Sequence, residues 1–349
     1  MVTLAEAQAD FSTEEIYLDS ASIGLPCRAT ITALHEAVGH WAGGQARAPD
    51  YDQYVERSRA AYARIVGVPV EWVAITTPVS VATGHAAALL QPGDRVVVAR
   101  EEFTSVLFPF LEAANRGVEV DLVDLDDLVD AIRRDLAMVA VSAVQSADGR
   151  VTDLDVLADR CRDAGVLSFV DATQAGGWLP FDATRFDITA QGAYKWLISP
   201  RGTGFMTVAP DLWERMPAVA AGWYAGEDPW TSVYGPPLRL APSARRFDVS
   251  PAWLAWVGAA PALELMAELG PDTVGKHNVA MTNRLREGLG LQPSNSAIVS
   301  IDLDDAAVSR LQAAGVVFAS RAGRSRFACH FYTTTDQIDE VCSTIRAAP

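Results

Sequence analysis

The sequence predicts an α/β fold in which helices cover both faces of a mostly parallel sheet. Two observations lead to this prediction. Between about residues 65 and 210, short runs of β-branched residues alternate with segments whose apolar residues recur every three to four positions. The short runs are apolar throughout instead of alternating with polar residues, as expected for strands that are covered on both faces. This order of strands and helices favours parallel strands, and ligands bind beyond the carboxyl ends of such strands.

Five of the short runs are predicted as strands, with helices between them. Residues 153–164 show why, since their apolar side chains recur at helical spacing and Gly165 favours an end there. The uncharged stretch 72–93 contains Thr, Ser, Pro and His, so it is interpreted as a buried strand and helix and not as a membrane span. The predicted strands are 73–75, 95–99, 118–123, 138–142 and 166–170.

The pattern changes after about residue 222. Residues 222–242 are rich in Trp, Gly and Pro without periodicity, and residues 251–269 predict one long apolar helix. Shorter units follow, predicted as a strand at 297–303, a helix at 304–314, a strand at 327–332 and a helix at 335–347. We therefore predict a large α/β domain at residues 15–250 and a small α+β domain formed by residues 1–14 and 251–349.

The chain has 349 residues, with 44 acidic and 28 basic side chains and a net charge of −16. A surface this negative repels phosphate backbones and anionic lipids, so neither a nucleic-acid nor a membrane partner is predicted. The four cysteines form no C-x-x-C pair, which fits a reducing compartment, and the N-terminal residues lack the layout of a signal peptide. These observations predict a cytoplasmic protein. No metal-binding motif occurs, and no metal is predicted.

Two residues point to a particular chemistry. Only two of the 28 basic residues are lysines, Lys195 and Lys276, and arginine cannot replace lysine as an amine nucleophile because it does not lose its proton. Asp171 directly follows a predicted strand, which places it at the carboxyl edge of the sheet. Taken singly, Asp171 could cap a helix and Lys195 could lie on the surface. Together they supply the amine and the carboxylate that pyridoxal phosphate requires.

Three segments match the motifs of one enzyme family, in the same order. Residues 17–21 (YLDSA) are similar to the motif YLDSAA, residues 170–174 (VDATQ) to VDGAQ, and residues 194–204 to HKxxGPxGxG. The chain therefore resembles the class V group of pyridoxal-phosphate (PLP) enzymes of fold type I. This group includes cysteine desulfurases, kynureninase, isopenicillin N epimerase-like proteins and hercynylcysteine sulfoxide lyase. The resemblance implies the PLP-dependent transferase fold of type I and pyridoxal 5′-phosphate as the cofactor.

The resemblance also implies roles at the cofactor ring. Lys195 would form the internal aldimine, Asp171 would pair with the pyridinium nitrogen, and Gln174 would hydrogen-bond the phenolic oxygen. Residues 102–109 are similar to the motif EHHANIVP, which places Phe103 where relatives stack an aromatic ring on the cofactor. Since desulfurases have His at that position, Phe103 gives a stacking surface without a proton donor. It could also be an ordinary core residue.

The cofactor phosphate is expected at the start of the helix that follows strand 73–75, because free amides there favour an anion. The resemblance implies amide and hydroxyl donors at Val79 and Ser80, and Ser80 could also be an ordinary cap. Tyr194, where many relatives have His, could add its hydroxyl. Ser250 resembles a Thr that reaches the phosphate from the neighbouring subunit, which implies a homodimer.

An amino-acid substrate calls for an arginine that binds its carboxylate with two hydrogen bonds. Residues 320–323 resemble the motif VRTG and residues 326–329 the motif VRAS, which implies that Arg321 clamps the carboxylate and Arg326 supports it. Both could instead lie in a basic surface turn. Desulfurases carry a nucleophilic cysteine shortly after the first arginine, but the loop here contains none. Cys27 is the only cysteine that could approach the cofactor, and a small buried residue is the commoner role.

These observations predict a PLP-dependent enzyme that acts on an amino acid through a lysine aldimine and a quinonoid. The missing loop cysteine favours transamination or a β-elimination that cleaves a C–S bond. The alternatives are an epimerase or desulfurase of the same family, or a catalytically silent fold-type I protein that serves as a binding partner. The intact set of Lys195, Asp171 and Gln174 favours an enzyme.

Overall fold

The computed structural model describes residues 2–347. The strands are β1 (Ile16–Tyr17), β2 (Val73–Thr76), β3 (Arg95–Ala99), β4 (Glu119–Val123), β5 (Met138–Ser142), β6 (Leu167–Asp171), β7 (Ile188–Gly192), β8 (Gly204–Val208), β9 (Ile298–Ile301), β10 (Val316–Val317), β11 (Ala319–Arg321) and β12 (Arg324–Ala328). The helices are α1 (Leu4–Gln8), α2 (Arg28–Ala42), α3 (Asp52–Val66), α4 (Val79–Leu89), α5 (Thr104–Ala113), α6 (Leu154–Ala164), α7 (Trp253–Leu269), α8 (Pro271–Gly288), α9 (Asp305–Ala313) and α10 (Thr335–Arg346).

Among the described residues, the main sheet has seven strands in the order β2-β8-β7-β6-β5-β3-β4. Four of its neighbouring pairs are parallel, and β8 runs antiparallel to both β7 and β2. Alternate residues of β3 and β5 belong to two different hydrophobic cores, because both faces of the sheet are covered. The predicted α/β class with a mostly parallel sheet is confirmed.

The five predicted strands all form, as β2 to β6, and their ends differ from the prediction by at most one residue. The predicted helix at 153–164 begins one residue later, at Leu154, since the Asp153 side chain accepts a hydrogen bond from the Val156 amide and caps the helix. It ends at Gly165, whose φ of +70° suits glycine.

Strands β7 and β8 were not predicted from the sequence, although the motif at 194–204 follows β7 and leads into β8. Polar side chains interrupt the apolar pattern that marks the other strands: Thr189 and Gln191 lie in β7 and are fully buried. Thr189 shares a hydrogen bond of 2.7 Å with Thr207 across the strand pair. Only the folded sheet supplies such partners, so the sequence pattern alone does not mark these strands.

The C-terminal part of the chain forms a second sheet, in the order β11-β12-β9, against which α8, α9 and α10 are arranged. The predicted strand at 327–332 is wrong in its second half, because β12 ends at Ala328 and the following aromatic residues pack against Phe11 instead. The predicted helix at 251–269 forms as α7, which packs against α2 and α3. The domain boundaries at residues 14 and 250 stay a prediction.

Two negative findings apply to the described part of the chain. No helix within residues 2–347 is long and apolar enough to cross a membrane. No group of three or more His, Cys, Asp or Glu side chains in the same residues is arranged to hold a metal ion. The cytoplasmic location stays a prediction.

A buried ion pair fastens a late segment of the chain to strand β2. The Arg59 Nη2 and Asp248 Oδ2 atoms lie 2.8 Å apart, and both side chains are almost fully buried. Asp248 Oδ1 accepts a hydrogen bond of 2.7 Å from the Ile75 amide, and Arg59 Nη1 donates to the Val73 carbonyl at 2.7 Å. The pair therefore holds the segment before Ser250 against the strand that leads into α4.

Candidate active site

A cavity of about 590 Å³ lies at the carboxyl ends of the parallel strands. Asp171 reaches it from the end of β6, and Lys195 from the turn that follows β7. Phe103 comes from the turn after β3, and Arg321 and Arg326 come from the second sheet. Side chains far apart in the sequence thus meet beyond the strand ends, where ligands bind in folds of this kind.

Lys195 is a buried amine with a lowered pKa. Only 7% of the residue is exposed, and burial lowers its pKa to about 8 because the charged form loses hydration. The carboxylate of Asp171 opposes this shift, and three cationic neighbours add to it: Arg326, Arg321 and Arg201. A substantial fraction of the amine is therefore neutral near pH 8, and the neutral amine is the nucleophilic form.

Asp171 has one carboxylate oxygen without a hydrogen bond. Its Oδ1 accepts from the Thr173 amide at 2.9 Å, whereas Oδ2 accepts from none of residues 2–347. Burial raises the pKa of Asp171, and the Thr173 hydrogen bonds and the charge of Lys195 oppose that shift. A buried carboxylate of this kind is stabilised by a cationic partner.

The amide of Gln174 is held at both ends. The Trp196 indole donates to its Oε1 at 2.7 Å, and its Nε2 donates to the Ala21 carbonyl and the Ser146 hydroxyl, each at 3.0 Å. An indole N–H only donates and a carbonyl only accepts, so these partners fix which end of the amide is oxygen. Both hydrogens of Nε2 therefore have acceptors within the protein. The predicted bond from Gln174 to a phenolic oxygen stays a prediction, and it requires one of these hydrogens to change its acceptor.

Arg321 and Arg326 lie on one wall of the cavity. Arg326 is 1% exposed, and it donates from Nη1 to the Ser146 carbonyl at 2.7 Å and hydroxyl at 3.1 Å, and from Nη2 to the Ser22 hydroxyl at 2.8 Å. Arg321 is exposed and donates to the same Ser22 hydroxyl at 3.1 Å. Burial and the charge of Arg321 lower the pKa of Arg326 to about 10, although Asp19 lies 3.5 Å away. Arg326 is therefore not a residue of a surface turn.

Phe103 directly precedes α5 and lines the cavity. It is 48% exposed, so it is not an ordinary core residue, and the Lys195 Nζ lies 5.5 Å from its ring centroid. The neighbouring carboxylate of Glu102 is buried and accepts from the Ser142 amide at 2.7 Å and the Gln145 amide at 2.8 Å. Glu102, which the sequence analysis did not single out, thus fastens the turn that carries Phe103 to the end of β5.

The N-terminus of α4 forms another wall. The helix begins at Val79, and the side chain of the preceding Pro78 leaves its first amides uncapped. Val79 lines the cavity, whereas Ser80 neither lines it nor caps the helix. Tyr194 also lines the cavity, and the Arg201 guanidinium carbon lies 5.0 Å from its ring centroid. Free amides and a guanidinium make this wall electropositive.

Two of the predicted site residues, Ser80 and Ser250, do not line the cavity, and Ser250 is exposed. The predicted residues that do line it are Val79, Phe103, Asp171, Gln174, Tyr194, Lys195, Arg321 and Arg326. Three further residues line the same cavity but were not predicted from the sequence: Ser22, Ser146 and Arg201. Arg201 lies inside the matched motif at 194–204, and Ser22 occupies the sixth position of the motif that begins at residue 17.

Residues 16–316 match the family model described as aminotransferase class-V. The chain belongs to this family. The uncharacterized aminotransferase YcbU of Bacillus subtilis is 26% identical over 314 residues, covering 84% of this chain and 83% of YcbU. Isopenicillin N epimerase of Streptomyces clavuligerus is 26% identical over 341 residues, covering 83% of each.

Solved structures match the fold of this class V chain over nearly its full length. The apo cysteine desulfurase of Thermococcus onnurineus gives a TM-score of 0.84 at 20% identity, covering 98% of this chain and 97% of that one. A cystine C–S lyase in complex with its product cysteine persulfide gives the same TM-score and identity, covering 97% and 99%. The predictions of fold type I and of an enzyme of the class V family are confirmed.

Enzymes of this family depend on pyridoxal 5′-phosphate, as the sequence predicted. The cavity of the class V chain fits that group in three respects. It holds a buried lysine with a lowered pKa and a buried carboxylate with one unpaired oxygen. It also holds the uncapped start of α4, where a phosphate is favoured.

Proposed function

We propose that this class V enzyme acts on a free amino acid, by transamination or by an elimination that cleaves a C–S bond. The observation that carries the proposal is the position of Lys195 in one cavity with Asp171, Arg321 and Arg326. The lysine and the carboxylate suit the cofactor, and the arginines suit an acid group on the substrate.

When bound, the cofactor supplies an electron sink for the substrate's α-carbon. Lys195 would hold the cofactor through its amine, and its Nζ would serve as the general base for the α-proton. Its pKa of about 8 suits this task, because the neutral form is well populated there. Asp171 stabilises a positive charge opposite its unpaired oxygen, and Phe103 offers an aromatic face on the cavity wall.

We place the cofactor's phosphate at the start of α4. The donors are the amides at Val79 and Ser80 and the hydroxyls of Ser80 and Tyr194. Ser250 is exposed in one chain, and its proposed role is to reach the phosphate of the neighbouring subunit in a homodimer. Large exposed apolar side chains support a subunit interface. The most exposed are Trp41 at 64%, Leu238 at 81% and Tyr234 at 88%.

For the substrate's carboxylate, Arg321 is the proposed clamp and Arg326 its support. Arg326 donates from Nη1 to Ser146 and from Nη2 to Ser22, and its Nε is buried without a partner among residues 2–347. Arg321 is exposed, and within residues 2–347 it donates only to the Ser320 carbonyl and the Ser22 hydroxyl. Arg321 therefore keeps donors for a ligand.

The hairpin between β11 and β12 favours these reactions over the sulfur relay of a desulfurase. Its turn consists of Ala322 and Gly323 alone, with φ values of +47° and +76°. The four cysteines are all buried. Cys27 is 1% exposed, precedes α2 and contacts Thr30 at 3.4 Å. No cysteine among residues 2–347 is placed to accept sulfur from a substrate.

A spectral and product screen of the holoprotein tests this proposal, with free amino acids and cysteine S-conjugates as substrates. Transamination yields a keto acid without thiol, whereas elimination yields a thiol, a keto acid and ammonia. Lys195→Ala is the control that should lose every response. Change of configuration without either product would favour the epimerase, and no response to any compound would favour a binding protein.

A further inference from the structure

We infer that Ser22 and Ser146 are hydrogen-bond donors that form, with Arg321 and Arg326, the binding site for the acid group of the substrate. The inference depends on the proposed function only for the identity of the ligand. Whether each group in the site donates or accepts follows from the hydrogen bonds that these four residues make.

The hydroxyl group of Ser146 can form a further hydrogen bond only as a donor. Its hydroxyl oxygen accepts from Gln174 Nε2 at 3.0 Å and from Arg326 Nη1 at 3.1 Å. A serine hydroxyl has two lone pairs and one hydrogen, so both lone pairs are occupied. The hydroxyl donates to none of residues 2–347, and the side chain lines the cavity. Its hydrogen is available to a ligand there.

The hydroxyl group of Ser22, which binds Nη2 of Arg326, can likewise only donate. Its hydroxyl accepts from Arg326 Nη2 at 2.8 Å and from Arg321 Nη2 at 3.1 Å. It also donates to none of the described residues and lines the cavity. Ser142 is the contrasting case, since its hydroxyl donates to the buried carboxylate of Glu102 and has no proton to spare.

The Trp196 side chain determines which groups on this wall of the cavity donate hydrogen bonds. The Trp196 indole holds the oxygen end of the Gln174 amide, so the nitrogen must face Ser146. The arginines have no acceptor groups at all. The wall therefore offers O–H and N–H donors and no acceptor. A carboxylate satisfies such a wall, whereas the NH₂ of a carboxamide would be left there without a partner.

The charges agree with this conclusion. Arg326 has a carboxylate partner, Asp19, at 3.5 Å. Arg321 lies within 4 Å of no carboxylate of residues 2–347. One positive charge on the wall, that of the exposed Arg321, is therefore left to pair with a single carboxylate.

Acetate and acetamide are the probes for this site, titrated into the holoprotein and followed by ligand-observed NMR. We expect acetate to bind and acetamide to bind at least roughly tenfold more weakly. Ser22→Ala and Ser146→Ala should each weaken acetate binding about three- to thirtyfold and leave acetamide unchanged. Ser105→Ala is the matched control, because Ser105 lines the cavity without belonging to this network.

Ser22→Thr and Ser146→Thr keep the hydroxyl, so recovery of acetate binding in them separates a lost donor from a folding defect. Unchanged acetate binding in both alanine variants would overturn the inference, as would equal binding of acetate and acetamide by the unaltered protein. Failure of the proposed function has another signature. Acetate would bind as described while no amino acid changes the cofactor spectrum.

Discussion

Burial acts in opposite directions on the two charged residues at the centre of the site. It lowers the pKa of Lys195 and raises that of Asp171, because the charged form of each loses hydration. Each residue opposes the other's shift through its own charge. Neutralisation of the Lys195 amine therefore removes a charge that stabilises the Asp171 carboxylate.

Borohydride reduction in the presence of PLP should attach a pyridoxyl group to Lys195. We expect labelling of the apoprotein to increase with pH through about 8, and not near the ordinary lysine value of about 10.4, since the neutral amine reacts and burial lowers its pKa. Peptide mapping gives the position, and Lys195→Ala should lose the label. A label on Lys276, which lies in α8, would refute the assignment.

The Asp171→Asn variant should still bind PLP, but its turnover should fall roughly a hundredfold or more. Losses of this size follow the removal of a preorganised electrostatic group in other enzymes. The phosphate site and Lys195 are untouched, so cofactor content should stay near that of the unaltered protein. Absorbance gives the cofactor content, and the active amino acid found in the screen gives the rate. Near-normal turnover would show that this carboxylate does not serve the cofactor ring.

The residues that the sequence identified are those whose chemistry depends on residue type. Lysine as an amine and aspartate as a carboxylate can be recognised from a motif. Ser22 and Ser146 could not, because their role depends on which lone pairs are occupied. Arg326 occupies them from positions 304 and 180 residues away along the chain. Only the folded chain brings these groups together.

Elements with apolar residues on both faces were the ones that the sequence predicted well. β3 and β5 begin and end at the predicted residues. β7 was missed because Thr189 and Gln191 are buried in it, with partners at Thr207 and the Gly176 carbonyl. The strand that precedes Lys195 was thus missed because its buried side chains are polar.

Loss of the buried ion pair should loosen the contact between β2 and the segment before Ser250. Asp248→Ala leaves the buried Arg59 guanidinium with only the Glu56 carboxylate, at 3.3 Å, and we expect a loss of about 3 kcal/mol in the free energy of unfolding. Urea titration measures it. Asp159→Ala removes an exposed carboxylate that pairs with Arg162 and Arg185, and it should change the free energy of unfolding far less. Equal effects of the two substitutions would contradict this account of β2.

At the scale of the whole molecule, the proposed unit is a homodimer with a shared site. The net charge of −16 does not prevent association, because exposed charges are screened beyond about 10 Å in ordinary salt. The exposed apolar side chains give an interface surface to bury. Light scattering should therefore report twice the chain mass.

Mixing Lys195→Ala chains with Ser250→Ala chains tests whether sites are shared. In a hybrid dimer, both changes fall in one site, and the other site is intact. The mixture should then bind PLP more tightly than Ser250→Ala alone, with about half of the sites in hybrids restored. Additive behaviour of the two parent proteins, or a monomer that holds PLP tightly, would contradict the shared site.

The two-residue turn after Arg321 has a consequence for how this enzyme could acquire new chemistry. Surface loops tolerate insertion, and each doubling of loop length costs only about 0.6 kcal/mol of closure free energy. The turn joins two strands of the second sheet beside the cavity. A longer segment inserted there could deliver a new nucleophile to the substrate while leaving β11 and β12 paired. Insertion at this hairpin, in the laboratory or in evolution, can therefore change the type of reaction while the cofactor site stays the same.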